Sequence, residues 1–272
     1  MPRDCQNAIT FLLRRGVFAG PGAKESSLQK ERDPFGRPRL SMSVVREKAE
    51  GFCDRELQGV YRAIRERRDV RSGFLPEALG DDVLLRLLGA AHNAPSVGLM
   101  QPWRFIVIRS PLVRSAVRDI FSQAQQVAAD SYEGERAELY RGLKLEGILE
   151  APQNLCIACD PVSERGHRLG RQSMPETAIY SAVCAVQNLW LAARAEGIGV
   201  GWVSILDPEA LKILLGIPAH MVLVAYLCLG YVDGFQPRPE LERVGWEQRI
   251  PLADVIRLEH YDGEQLLTGT AK

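Results

Sequence analysis

Arg67-Arg68-Asp69-Val70-Arg71 packs three guanidinium groups and one carboxylate into five residues. The chain around them carries no net charge, with 34 Lys+Arg against 34 Asp+Glu. Guanidinium forks pair with phosphate oxygens two at a time, so the cluster suits a phosphorylated ligand. Taken alone it is also what a solvated helix end looks like, where cations complement the helix dipole. Asp69 is the odd member. It either pairs with its neighbours or stands as a carboxylate beside a ligand whose phosphate the arginines hold.

Two further stretches have site-like chemistry. In APSVGLMQPWRF (94–105), Ser96, Gly98 and Gln101 precede Pro102 and Trp103. Small residues let a flat ring or a phosphate approach the backbone, and Gln101 both donates and accepts. In GVGWVSI (199–205), Gly201, Trp202 and Ser204 come at the end of a strand pattern. Neither matches a dinucleotide fingerprint or a P-loop. Cys156 and Cys159 form a CxxC inside a strand pattern, where positions i and i+3 face opposite sides. No second pair exists for zinc, so both read as core, as do Cys184 and Cys228. His92, His167, His220 and His260 fall at no ligand spacing, so no metal site is expected.

Composition narrows the function classes. The 272 residues are 46% hydrophobic and 25% charged, the profile of a soluble globular protein. A zero charge balance argues against a nucleic-acid partner, which needs a basic surplus. No apolar run approaches the ~20 residues of a membrane span, so no membrane partner is expected either. Six scattered cysteines fit a reducing, cytoplasmic compartment better than a disulfide scaffold.

These residues need elements to position them. Leu57, Val60, Tyr61 and Ile64 share one face of a helix that runs into the arginine cluster. DDVLLRLLGAAHNA is a second helix, with Asp81 or Asp82 as its cap. Helices over 112–129 and 134–149 follow the strand RFIVIRS. NLCIACD, IGVGWVSI and HMVLVAYLCLGYV are three more strands. The longest helical pattern, ETAIYSAVCAVQNLWLAARAEG, is apolar nearly all round, so it is expected at the centre and partly against a second subunit. Gly197 ends it. DPEALKILLG is a short helix, and the stretch 238–256 reads as loop. About five helices mixed with four strands favour an α+β, three-layer sandwich fold.

The first 50 residues differ. PGAKESSLQKERDPFGRPRL is rich in Pro, Gly and charge and cannot offset its ordering entropy by burial. Arg14–Arg15 inside the apolar stretch before it argues against a secretory signal, and Asp4, Glu25, Glu31 and Asp33 against a transit peptide. Residues 1–53 are therefore read as a flexible extension that begins at an upstream start, with Met42 as the usual one. An arm packing on a partner subunit is the alternative. The folded domain is assigned to 54–262 and a tail to 263–272.

Over residues 55–255 the chain resembles the nitroreductase-type flavoproteins. RRDVR, the APSVGLMQPWRF loop, YSAVCAVQNLWLAARAEGIGVGW and the late arginine of GWEQR carry the resemblance. Within that family RRDVR, SVGLMQPW, LKLEGI and VGWVSI are most similar to the 5,6-dimethylbenzimidazole synthases. The resemblance implies an intertwined homodimer with a mainly antiparallel central sheet, flanked by helices, and FMN at the subunit interface. Arg67, Arg68 and Arg71 would hold the FMN phosphate and ribityl chain, with Asp69 and Val70 among them. Ser96 and Gln101 would lie along the flavin, Gly201, Trp202 and Ser204 against its ring, and Arg249 at the phosphate or ring. Asp69 and Ser204 match the positions used in the chemistry.

The reaction implied is the O₂-dependent fragmentation of reduced FMN to 5,6-dimethylbenzimidazole and erythrose 4-phosphate, supplying the lower ligand of vitamin B12. FMN is then both cofactor and substrate, O₂ the co-substrate, and a separate flavin reductase the source of FMNH₂. Asp69 would serve as general acid/base and Ser204 as a hydrogen-bonding group. Residues 139–148 would form a lid. The alternatives are an NAD(P)H-dependent nitroreductase or flavin reductase of the same fold, and a non-enzymatic FMN-binding protein.

Overall fold

The computed structural model describes residues 50–266. The readings of the N-terminal extension up to residue 49, and of the tail from residue 267 onward, lie outside the described residues. Strands β1 (Trp103–Ile108), β2 (Gln153–Cys159), β3 (Ile198–Val203) and β4 (Val222–Tyr231) form one sheet in the order β1-β2-β4-β3. Every neighbouring pair is antiparallel.

Strand alternation builds two cores. Leu155, Ile157 and Cys159 on β2 and Ala225, Leu227 and Leu229 on β4 face one side. That side is covered by α2 (Asp81–His92) and α5 (Thr177–Ala195). Cys156, Ala158, Tyr226 and Cys228 face the other, under α3 (Pro111–Ala129) and α6 (Pro208–Leu215). The result is the expected α+β three-layer sandwich, with the CxxC cysteines split between its cores. Alanines at 178, 182, 185 and 193 let α5 lie close on the sheet, and all four are buried. Gly197, at φ +77°, turns the chain out of α5 into β3.

Several expectations need correction. α1 (Asp54–Glu66) ends before the arginine cluster: Arg67 is already extended, with ψ 135°. α2 is capped by Gly80, and Asp81 and Asp82 sit in its first turn, where they complement the dipole. α4 (Gly134–Gly142) stops seven residues short of the expected end at 149. The reason is Glu146, which is tied to Arg118 Nε at 3.2 Å and to the Ile148 N–H at 2.6 Å. Those contacts draw Ile148 into the second core. Cys184 is half-buried, packing against the first core from its margin. The 238–256 stretch contains a short helix, α7 (Glu240–Arg243), and a 3₁₀ turn at Leu252–Val255. The apolar face of α1 is not covered: Leu57, Val60, Tyr61 and Ile64 are 39–52% exposed.

Candidate functional site

Because α1 ends at Glu66, the arginine cluster runs as an extended segment beside the edge of β3. Val70 N–H donates to Val200 O at 3.0 Å, and Asp69 forms a parallel bridge with Val200. Gly201 makes this approach possible. A Cβ there would lie 2.1 Å from Val70 O. The glycine of GVGW thus serves close packing of two backbones.

Asp69 is fully engaged. Its Oδ2 accepts from Arg71 Nε at 3.0 Å and Nη2 at 2.6 Å, and its Oδ1 accepts from Trp202 N–H at 2.8 Å. Arg71 in turn donates from Nη1 to Lys144 O at 3.3 Å. The carboxylate is therefore held in one orientation. Arg71 spends most of its donors inside the protein.

Arg67, Arg68, Asp69, Val70 and Arg71 line a cavity of about 350 Å³ together with Arg249. Asp233, Gln236, Arg238, Glu240 and Arg243, none of them singled out from the sequence, complete much of its wall. Six arginines face three carboxylates there. Among the described residues, Arg71–Asp69 is the only ion pair formed by any of them. Arg68 is the most constrained. Its Nη1 donates to Arg65 O and Arg67 O at 2.8 and 2.6 Å, and its Nη2 to Pro237 O at 2.5 Å. Its Nε is buried with no partner. Burial, with repulsion from Arg249, Arg67 and Arg194, lowers its pKa. A buried, unpaired donor in a crowd of cations is a place an anion stabilises.

The remaining expected residues do not line this cavity. Ser96 and Gln101 sit in the loop between α2 and β1, where Ser96 Oγ accepts from Gln101 N–H at 3.1 Å. That loop is strained, with Gly98, Leu99 and Gln101 all at φ near +50°. It rests on the segment Arg165–Arg168, whose backbone touches it where Gly98 meets Gly166. Trp202 packs its indole against Trp190, 6.2 Å between centroids, and Ser204 is exposed just past β3. Residues 139–148, expected as a lid, contribute nothing to the wall. Tyr140 is buried against Tyr132 and Trp246, and Leu145 and Ile148 belong to the second core. The α4–Trp246 contact instead braces the stretch that carries Arg249: Arg136 Nη1 donates to Trp246 O at 2.8 Å.

The cavity's cationic wall and the antiparallel sheet beneath it agree with what the chain is similar to. Residues 64–231 match the model of the nitroreductase family. A 5,6-dimethylbenzimidazole synthase of Rhodospirillum rubrum is 46% identical over 193 residues, 71% of this chain and 91% of that protein. Another, from Rhodobacter capsulatus, is 44% identical over 188 residues, covering 69% of this chain and 90% of that one. Among solved structures, oxidized iodotyrosine deiodinase bound to FMN and 3-iodo-L-tyrosine superposes with a TM-score of 0.60 at 21% identity, covering 74% of this chain and 100% of that one. The chain belongs to the nitroreductase family.

Proposed function

We propose that the chain is a 5,6-dimethylbenzimidazole synthase, converting reduced FMN and O₂ to 5,6-dimethylbenzimidazole and erythrose 4-phosphate. The observation that carries the reading is the arginine-lined cavity with a fixed carboxylate at its inner wall, in a chain so similar to two such synthases.

The residues present fit a flavin mononucleotide. A phosphate dianion would give Arg68 Nε its missing partner and offset the mutual repulsion of Arg67, Arg68 and Arg249. Arg71, already bound to Asp69 and Lys144 O, contributes less to the phosphate and more to holding Asp69. Bound FMNH₂ supplies the electrons for O₂ chemistry and the ribityl carbons for cleavage. Asp69 lines the same cavity as these arginines, where it would meet the ribityl chain of an FMN whose phosphate they hold. There its carboxylate takes and returns protons while Arg71 and Trp202 N–H fix its direction.

Ser96, Gln101 and Ser204 lie outside the cavity, and α1 presents an uncovered apolar face. Both features support a homodimer in which a second copy covers α1 and brings its own α2–β1 loop toward the flavin. Reduced flavin is supplied by a separate flavin reductase. The five described cysteines are all unpaired thiols, which suits a cytoplasmic location.

The test is to mix the purified protein with FMNH₂ and air and separate the products. 5,6-Dimethylbenzimidazole and a tetrose phosphate should form together. FMN recovered intact over many cycles, or steady NAD(P)H oxidation with a nitroaromatic in their place, overturns the reading.

A further inference from the structure

The arginines that face the cavity are held from behind by α5. Trp190 donates its indole Nε1–H to Arg68 O at 3.1 Å. The face of the same ring carries the Arg67 guanidinium, 4.8 Å from its centroid. One helical turn later, Arg194 donates from Nε to Glu66 O at 3.2 Å and from Nη2 to the Glu66 carboxylate at 2.6 Å. Two successive turns of α5 thus grip the carbonyls on either side of Arg67. This is the point where the chain leaves α1 and turns extended.

We propose that Trp190 is a positioning residue for the phosphate site: its N–H fixes the backbone of Arg68 and its ring face fixes the guanidinium of Arg67. The inference rests on the flavin-phosphate reading above and adds a residue to it. The ring is 8% exposed and does not line the cavity, so it acts through the arginines and not by touching ligand. Its geometry holds the Arg68 main chain while Arg68 keeps a buried Nε without a partner at the cavity wall. The Arg68 carbonyl is anchored by the indole and its two Nη groups by Arg65 O, Arg67 O and Pro237 O, which leaves Nε as its buried nitrogen without any partner. Arg67, which forms no ion pair with a described residue, needs a surface to rest on. An aromatic face provides one without neutralising the charge that a phosphate would meet.

A role through the arginines has a signature that a general packing role lacks: it acts on a ligand only through the phosphate. FMN and riboflavin share ring and ribityl chain and differ in that group. Wild-type protein should bind FMN at least ~10-fold more tightly than riboflavin, as one charge-assisted contact requires. Trp190→Phe keeps a ring under Arg67 and removes the N–H. It should weaken FMN about 5-fold, the size of one net hydrogen bond, leave riboflavin unchanged, and raise the inorganic phosphate concentration needed to displace FMN. Trp190→Tyr should give the same pattern, so the test does not depend on either variant alone folding well. Equal losses for FMN and riboflavin, or no loss for either, overturn the role of Trp190. Wild-type protein that binds FMN and riboflavin equally well defeats the phosphate-site reading itself.

Discussion

At the scale of single residues, Asp69 has two jobs, and they can be separated. It is the counterion of Arg71 and the acceptor for Trp202 N–H, and in the proposed reaction it also moves protons. Asp69→Asn keeps an oxygen for Trp202 N–H and removes the basic site. The Arg71 donors then face an amide, which should cost about 1–3 kcal/mol of stability. FMNH₂ binding should survive, because Arg67, Arg68 and Arg249 remain. Yield of 5,6-dimethylbenzimidazole at saturating FMNH₂ should fall ~10²- to 10⁴-fold, the usual loss of a general acid/base, while oxidation of FMNH₂ to FMN continues. A near-normal yield at saturation leaves Asp69 as a counterion only. Ser204→Gly should lower the yield less and leave binding intact. The arginine cluster was legible in the sequence because its chemistry is local: five adjacent residues must share one neighbourhood. Trp190, Arg238 and Arg243 were not, because nothing in the pattern around them shows which distant backbone or cavity they meet.

At the scale of elements, periodicity located the four strands and the core helices, and it failed where a buried polar group overrides it. The 134–149 pattern is helical by spacing, yet Glu146 ends the helix early by binding Arg118 and the Ile148 amide. Alternation likewise placed Cys156 and Cys159 on opposite faces, which is where they lie. For α1 the pattern identified the apolar face correctly but not what it faces. None of its residues is buried, although the helix is strongly amphipathic. Four large apolar side chains on one uncovered face make a hydrophobic patch that association would remove from water. A homodimer through α1 therefore predicts that Tyr61→Glu with Ile64→Glu converts a species of twice the chain mass to monomer in light scattering. The two introduced charges would be desolvated in the interface. If Ser96 and Gln101 of a second copy contribute to the site, flavin affinity should fall with dissociation. A double variant that stays dimeric places the interface elsewhere.

At the scale of the whole molecule, the sheet divides the protein into two cores, and buried thiols sit in both. Burial pushes the Cys159 thiol, in the α2–α5 core, up to about 11, with Asp160 adding to the effect. In the α3–α6 core burial lifts Cys156 to about 12 and raises Cys228 and the Tyr226 phenol as well. In the unfolded chain each thiol ionises near pH ~8.5. Folding keeps them protonated, so the folded state binds more protons once pH passes that value, and stability must fall. The contribution is complete below about pH 8.5 and is lost progressively as pH rises toward the folded values, at up to ~1.4 kcal/mol per pH unit for each thiol. Urea midpoints should hold level from pH 7 to 8 and drop between pH 9 and 10. Because the effect comes from both sides of the sheet, Cys156→Ala with Cys228→Ala should reduce the alkaline slope without abolishing it, and adding Cys159→Ala should reduce it further. In the native protein, exposed Cys53 should react quickly with a thiol reagent, and the three core thiols only as fast as the molecule unfolds. A flat stability profile through pH 10 would mean that these thiols ionise in the folded protein, and that the cores on either side of β2 admit charge.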